Sequence, residues 1–140
     1  MKESAVLRMY RVGHWLNKKK IPLLPAIIQR MIRVLFACEL PMTVKIGKGS
    51  QLHHNGLGVV IHEKAELGNN THIYQNVTIG GRGGRGVPKI GNNVFIGCGA
   101  CILGGVEIGD NAAIGANACV IEDVMPNSVV VGPKARVVRV

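Results

Sequence analysis

From Ile46 to Met125 an aliphatic residue returns at every sixth position. The beat is cleanest through Ile90, Ile96, Ile102, Ile108, Ile114 and Val120; Ile61, Leu67, Ile73 and Ile79 keep it upstream, after an earlier pair at Ile46 and Leu52. The fourth residue after an anchor is small or β-branched, as at Ser50, Ala65, Thr71, Val77, Val94 and Ala100. A helix repeats its apolar positions at about 3.6 residues and a half-buried strand at about two, so neither explains a period of six. A coil of short strands does, with each anchor pointing inward and stacked on its equivalent about 4.8 Å along the axis. Glycine and asparagine follow the anchors, as in Gly91-Asn92-Asn93, Gly109-Asp110-Asn111 and Gly68-Asn69-Asn70. The chain must turn a corner there, often through positive φ, which those residues tolerate best. The pattern predicts an all-β solenoid, a parallel β-helix of hexapeptide repeats that buries its core one rung at a time.

Ahead of the coil, residues 4–17 and 25–38 read as two helices. The run KKKIPLLP separates them, with Pro22 stopping the first and Pro25 opening the second. The chain therefore divides into an N-terminal helical segment, 1–40, and a repeat domain, 41–140. Ile27, Ile28, Met31, Ile32, Leu35 and Phe36 share one face of the second helix by three-and-four spacing. That face reads as packing on the protein's own body or on a sister subunit. The other reading is peripheral contact with an anionic membrane surface. Arg30 and Arg33 interrupt a stretch already short of the ~20 apolar residues a span needs.

Charge sharpens this division. The chain carries 17 Lys and Arg against 8 Asp and Glu, and residues 1–45 hold nine of the basic residues against Glu3 and Glu39 alone. The coil is near neutral. Aromatic residues make up 4% of the chain, too few for the stacking platforms of single-stranded nucleic-acid binders, and no nucleic-acid motif is present, so nucleic acid is not an expected partner. The opening stretch has charges throughout and lacks the uninterrupted apolar core of a signal peptide, so a cytoplasmic location is expected.

Two interruptions of the repeat locate the candidate chemistry. Nine residues separate Leu52 from Ile61 where six are expected, and the excess presents His53 and His54 beside Asn55 and Gly56. Bulges in regular scaffolds often aim side chains at a site, which singles out His54; His14, His62 and His72 read as surface or structural residues. Eleven residues separate Ile79 from Ile90, through the Gly-rich run GGRGGRGVPK with Arg82, Arg85 and Lys89. A mobile basic flap suits an anionic substrate or cofactor, and the two interruptions are expected to converge on one groove. Cys98 and Cys101 lie within one repeat with no second pair, so neither zinc nor redox use is indicated; Cys101 and Cys119 should stack as free thiols.

The segments LHHNGLGVVIH, YQNVTIGG with its Gly-rich insertion and PKIG, and VFIGCGACILGGVEIGDNAAIGANACVI resemble the left-handed β-helix acyltransferases, most closely the serine acetyltransferase group. The resemblance spans about residues 39 to 138. It implies a left-handed coil, a homotrimer with active sites between subunits, and acetyl-CoA as co-substrate. It places the catalytic histidine on His54 and its acidic partner on Glu39, where Glu stands in place of the family's usual Asp. An imidazole has the pKa to take a hydroxyl proton near neutrality, and a carboxylate on its other nitrogen would fix the tautomer. For the co-substrate the resemblance implies Gly81 beside the pantetheine arm, Cys98 and Ala116 on the groove wall, and Lys134 and Arg136 near the CoA phosphates.

The acceptor site departs from the family. His53 occupies the position of an acidic residue, the Arg-His pair ending the insertion is missing and leaves Arg85 as the nearest cation, and only about forty residues precede the coil. The expected reaction is acetyl transfer to the hydroxyl of L-serine, with His53 and Arg85 near the acceptor; the alternative is a sugar hydroxyl in polysaccharide assembly. A second alternative is a zinc-dependent β-helix enzyme. His54 and His72 are eighteen residues apart but sit at different places after their anchors, so they should face different ways, and no metal ligand set is expected.

Overall fold

The computed structural model describes residues 3–132. Two helices, α1 (Ala5–Lys18) and α2 (Leu24–Phe36), precede thirteen short strands. These are β1 (Lys45–Ile46), β2 (Gln51–Leu52), β3 (Val60–Ile61), β4 (Glu66–Leu67), β5 (His72–Ile73), β6 (Thr78–Gly80), β7 (Lys89–Ile90), β8 (Phe95–Ile96), β9 (Cys101–Leu103), β10 (Glu107–Ile108), β11 (Ala113–Ile114), β12 (Cys119–Val120) and β13 (Val129–Val130). They form three parallel sheets, β1-β4-β7-β10, β2-β5-β8-β11-β13 and β3-β6-β9-β12, here called the first, second and third. The chain visits them in rotation, so the coil predicted from the period of six has three sides.

Register follows the anchors. Ile90 pairs with Ile108, Ile96 with Ile114 and Ile102 with Val120. Where the chain carries its two insertions the same stacking persists: Leu52 lies against Ile73, and Ile79 against Ile102. The extra residues are therefore pushed out at corners and leave the ladder intact. The anchors and the small residues four places later make one buried cluster. Thr71 and Ser50, the polar members, satisfy their hydroxyls on the Gly68 carbonyl at 3.2 and 3.0 Å.

The corner between the first and second sheets shows why asparagine recurs. Asn70, Asn93, Asn111 and Asn127 all take left-handed backbone, with φ of 53°, 55°, 60° and 61°. Their side-chain amides form a ladder, each Nδ2 donating to the next Oδ1 at 3.1 Å. Residues of this type tolerate the corner conformation and then hydrogen-bond their equivalents in the neighbouring coil.

The three outer faces differ. The first sheet shows Lys45, Glu66, Lys89 and Glu107 in register, with Lys45 Nζ 2.8 Å from Glu66 Oε1. The second shows His72, Phe95, Ala113 and Val129, while Gln51 in the first coil is buried. The third shows Val60, Thr78, Cys101 and Cys119. Cys101 and Cys119 thus stack as expected, both as free thiols.

α1 closes the first coil. Val6, Leu7 and Tyr10 are fully buried with Cys38, Leu40 and Val44. The Tyr10 hydroxyl donates to the Val44 carbonyl, and Arg11 donates to the carbonyls of Ile46 and Gly47. The first rung would otherwise present unpaired strand edge to water. Burial raises the Tyr10 pKa to about 12, against the lowering effect of the Arg11 charge. α2 ends two residues before the position expected from sequence, because Ala37 turns left-handed (φ 49°) and Glu39 already bridges Val60. Its apolar face divides. Ile32 is buried and Ile28 and Phe36 pack on the core, whereas Ile27, Met31 and Leu35, expected on the same face, are exposed.

Candidate active site

The three-residue excess becomes one tight turn, His53–Gly56, at the corner between the second and third sheets. His54 and Asn55 both take left-handed backbone, at φ 54° with ψ of 32° and 31°. Two consecutive residues other than glycine in this region cost on the order of 1–3 kcal/mol each and persist only when their surroundings hold them. Here Asn55 Oδ1 accepts the Ala5 amide at 3.0 Å and so caps α1, whose own N-cap, Ser4, makes no side-chain cap bond. The Gly58 amide donates to the Ala37 carbonyl at 2.9 Å, and Gly56 sits against the Cys38 thiol. The turn is thus fixed from both sides and presents His54 at the corner.

His53 is not a free neighbour of His54. Its Nε2 lies 3.0 Å from His72 Nδ1, one nitrogen donating and the other accepting. Its ring stacks on Tyr74 with centroids 4.2 Å apart and planes 18° apart, and Tyr74 continues to Phe95 at 5.2 Å. Partial burial, and after it the nearby charges of His72 and His54, lower the His53 pKa, so the ring favours its neutral form. His54 stands edge-on to Tyr74 at 6.4 Å, and among the described residues its ring has no hydrogen-bond partner. His72, read from sequence as surface or structural, and Tyr74 therefore belong to the site. The available signal was register: with the bulge counted, His72 falls beside Gln51, two residues before His53.

Cys98 and Ala116 follow the paired strands β8 and β11 and occupy the same corner as His54, one coil above the other. Gly81 and Arg85 do not. They follow β6 at the corner between the third and first sheets, where Arg82 and Arg85 line a cavity of about 330 Å³ with Gly104, Gly105, Glu122 and Asp123. Within one chain the two interruptions stand at different corners and make no common groove, so the expected groove could form only between chains. Each insertion is expelled where its own strand ends, and the intact third sheet lies between them. A Cβ built on Gly81 would meet only ordinary contacts, at 3.5 Å or more from Gly86, Val87 and His62, so nothing among the described residues requires glycine there.

The expected pairing of Glu39 with His54 is also not formed. Glu39 Oε1 accepts from Gln29 Nε2 at 3.1 Å, and Oε2 lies 3.1 Å from Arg33 Nη1. With one methylene more than aspartate, the carboxylate reaches the two donors that α2 offers. It borders a cavity of about 520 Å³ shared with Asn17, Met42, Thr43 and Glu63. Lys134 and Arg136 lie outside the described residues.

A coil of hexapeptides with an imidazole on a strained corner turn defines a class, the hexapeptide-repeat transferases. Residues 88–122 match the family described as bacterial transferase hexapeptide (six repeats). The chain is 40% identical to a serine acetyltransferase of Synechococcus elongatus over 92% of its own length and 54% of that protein. It is 38% identical to a serine acetyltransferase of Helicobacter pylori over 94% of its own length and 78% of that protein. A serine acetyltransferase structure from Neisseria gonorrhoeae, in complex with serine, superposes with a TM-score of 0.85 at 39% identity, covering 94% of this chain and 54% of that one. The chain belongs to the serine acetyltransferase family, whose left-handed parallel β-helix it shares. It spans about half the length of most of the curated relatives it matches.

Proposed function

We propose that the chain is an acetyl-CoA-dependent O-acetyltransferase that acetylates the hydroxyl of L-serine by general-base catalysis. The observation that carries this reading is His54, held by a strained turn at the corner that also bears Cys98 and Ala116 in register, with its ring nitrogens unengaged among the described residues. A serine-bound relative of 39% identity supports the acceptor. His54 takes the proton of the acceptor hydroxyl, the oxygen attacks the thioester carbonyl, and His54 returns the proton to the departing sulfur. No covalent bond to the protein forms. Backbone amides of the Gly-rich corners are the donors for the developing oxyanion. Glu39 can orient His54 only after its carboxylate leaves both Gln29 and Arg33, the latter with a side chain 73% exposed. An ion pair that exposed is worth about 1 kcal/mol or less, so the rotation costs little.

The donor would lie between subunits of a homotrimer. The charged first sheet suits solvent, while Val60 and Phe95, 45% and 44% exposed, give the other two faces apolar surface for neighbours. Packing with the third sheet of each chain turned toward the threefold axis would bring the His54 corner, at one edge of that sheet, to the Gly81 flap at the other edge of the next chain's. The small side chains of Cys98 and Ala116 leave room for an extended arm, and Gly81 would let it approach the backbone. A CoA thioester as donor fits a cytoplasmic site of action.

A sugar hydroxyl is the second reading. It is favoured by the ring surface of His53, Tyr74 and Phe95 beside His54, since the apolar faces of sugars pack on aromatic rings. CoA release measured with L-serine and with a panel of nucleotide sugars separates the two. Turnover on serine alone supports the first, turnover on a sugar alone replaces it with the second, and no turnover on any acceptor removes both.

A further inference from the structure

The two N-terminal helices expose apolar side chains that the fold does not use. On α2 these are Leu24, Ile27, Met31, Val34 and Leu35, from 46% to 83% exposed, continued by Leu23 at 78% just before the helix. On α1 they are Val12 and Trp15, each 55% exposed. The segment that carries these side chains is of one charge. Residues 4–38 hold seven Lys and Arg and no Asp or Glu. Arg11 and Arg33 are taken by Glu3 and Glu39. Arg8, Lys18, Lys19, Lys20 and Arg30 are exposed and, among the described residues, have no ion-pair partner.

We propose that α1 and α2 dock the protein on an anionic lipid surface, with the helices lying in the interfacial plane. Apolar residues on one face with basic residues around them are the features that bind headgroups and the upper acyl region together. Insertion across the bilayer is a different matter, since no helix among the described residues is long and apolar enough to span. A second copy of this surface fits poorly as the occupant, because it would oppose the same five cations and leave them uncompensated. Among the described residues no acidic side chain pairs with these five cations, which leaves them open to counter-charge from outside the chain. The proposal does not depend on which acceptor is acetylated, and it gives the acid-free segment a role that packing of Ile28 and Ile32 alone does not.

Trp15 is the only tryptophan, and it reports the contact directly. The purified protein is sedimented with large unilamellar vesicles of phosphatidylglycerol and phosphatidylcholine, and with pure phosphatidylcholine, while its emission is followed. Binding to the anionic vesicles alone, a blue shift of the emission, and release by salt are the expected results. Lys18→Gln with Lys19→Gln and Lys20→Gln changes exposed side chains and should leave the fold intact. It should weaken partition on the order of a hundredfold, at about 1 kcal/mol per charge near an anionic surface. Failure of the wild type to bind anionic vesicles, or equal binding to neutral ones, overturns the proposal. So does an Ile27→Ser, Leu35→Ser double variant that keeps vesicle partition but changes the number of subunits, which would make the face a subunit contact. Acetyl transfer is assayed in parallel without lipid, so loss of the function reading and loss of this one are read separately.

Discussion

The two corners flanking the second sheet grow from the same six-residue repeat and come to serve different ends. At the corner with the first sheet the first coil turns through Gly49, and each later turn is a left-handed asparagine in one ladder of side-chain amides. At the corner with the third sheet the first turn carries three extra residues: Gly58 keeps the ordinary left-handed position, over Asn76 of the next coil, and His54, Asn55 and Gly56 add three more. The first corner spends its backbone geometry on stability, since asparagine accepts positive φ and contributes a ladder. The second tolerates a histidine where asparagine or glycine would be easier, which is the signature of a side chain retained for chemistry.

Substitutions should separate these roles. The largest effect is expected from His54→Gly. Loss of the general base should lower turnover by about 10²–10⁴. The same change relieves left-handed strain, so thermal unfolding should show the variant equal to or about 1 kcal/mol more stable than the wild type. A destabilised variant with normal turnover would reverse the assignment. Next in size, Ile96→Ala removes a fully buried anchor and should cost about 2–5 kcal/mol in denaturant unfolding.

Smaller effects test the asparagine corner. Asn93→Val puts a β-branched residue at φ 55° and removes two ladder bonds, with an expected loss of about 1–3 kcal/mol and unchanged kcat. Asn93→Gly keeps the backbone and should lose less. A Val variant as stable as the Gly variant would show that conformation does not select the residue there.

The smallest effect is in pH. Because the His53 pKa is lowered from its ordinary 6.5 in the folded state, the unfolded chain binds the proton first as pH falls. Stability should therefore decline as pH drops below about 6.5 and level off below the folded-state pKa. His53→Asn should flatten that part of the profile, as read by urea midpoints at several pH values. Thiol titration sharpens the picture of the core: burial, and then the charge of Glu39, raise the Cys38 pKa to about 12. Cys119, which is exposed, should react in the native protein, and Cys38 only after unfolding.

The coil was legible because each rung repeats one constraint, and six or more copies of an anchor and a corner leave no other period. His54 was legible for the opposite reason, as a break in that period. The partners of His54 were harder to read. Glu39 was assigned by linear spacing, but a glutamate reaches farther than an aspartate, and spacing does not reveal that α2 offers Gln29 and Arg33. His72 was read as a surface or structural residue because its place in the repeat was compared with that of His54, whereas the ring it meets is that of His53. The division of the α2 face, with Ile28 inward and Ile27 outward, depends on how far the helix rotates on α1 and the first coil, and three-and-four spacing does not fix that rotation.

The central claim is that a complete site joins the His54 corner of one chain to the Gly81 flap of its neighbour. Chains carrying His54→Ala and chains carrying Gly81→Trp, each inactive alone, are to be unfolded, mixed in equal amounts and refolded, and CoA release measured. If subunits share the site, random assembly restores about a quarter of the wild-type sites. If mixed oligomers form and activity stays at the level of the separate variants, both halves act within one chain and the account is wrong.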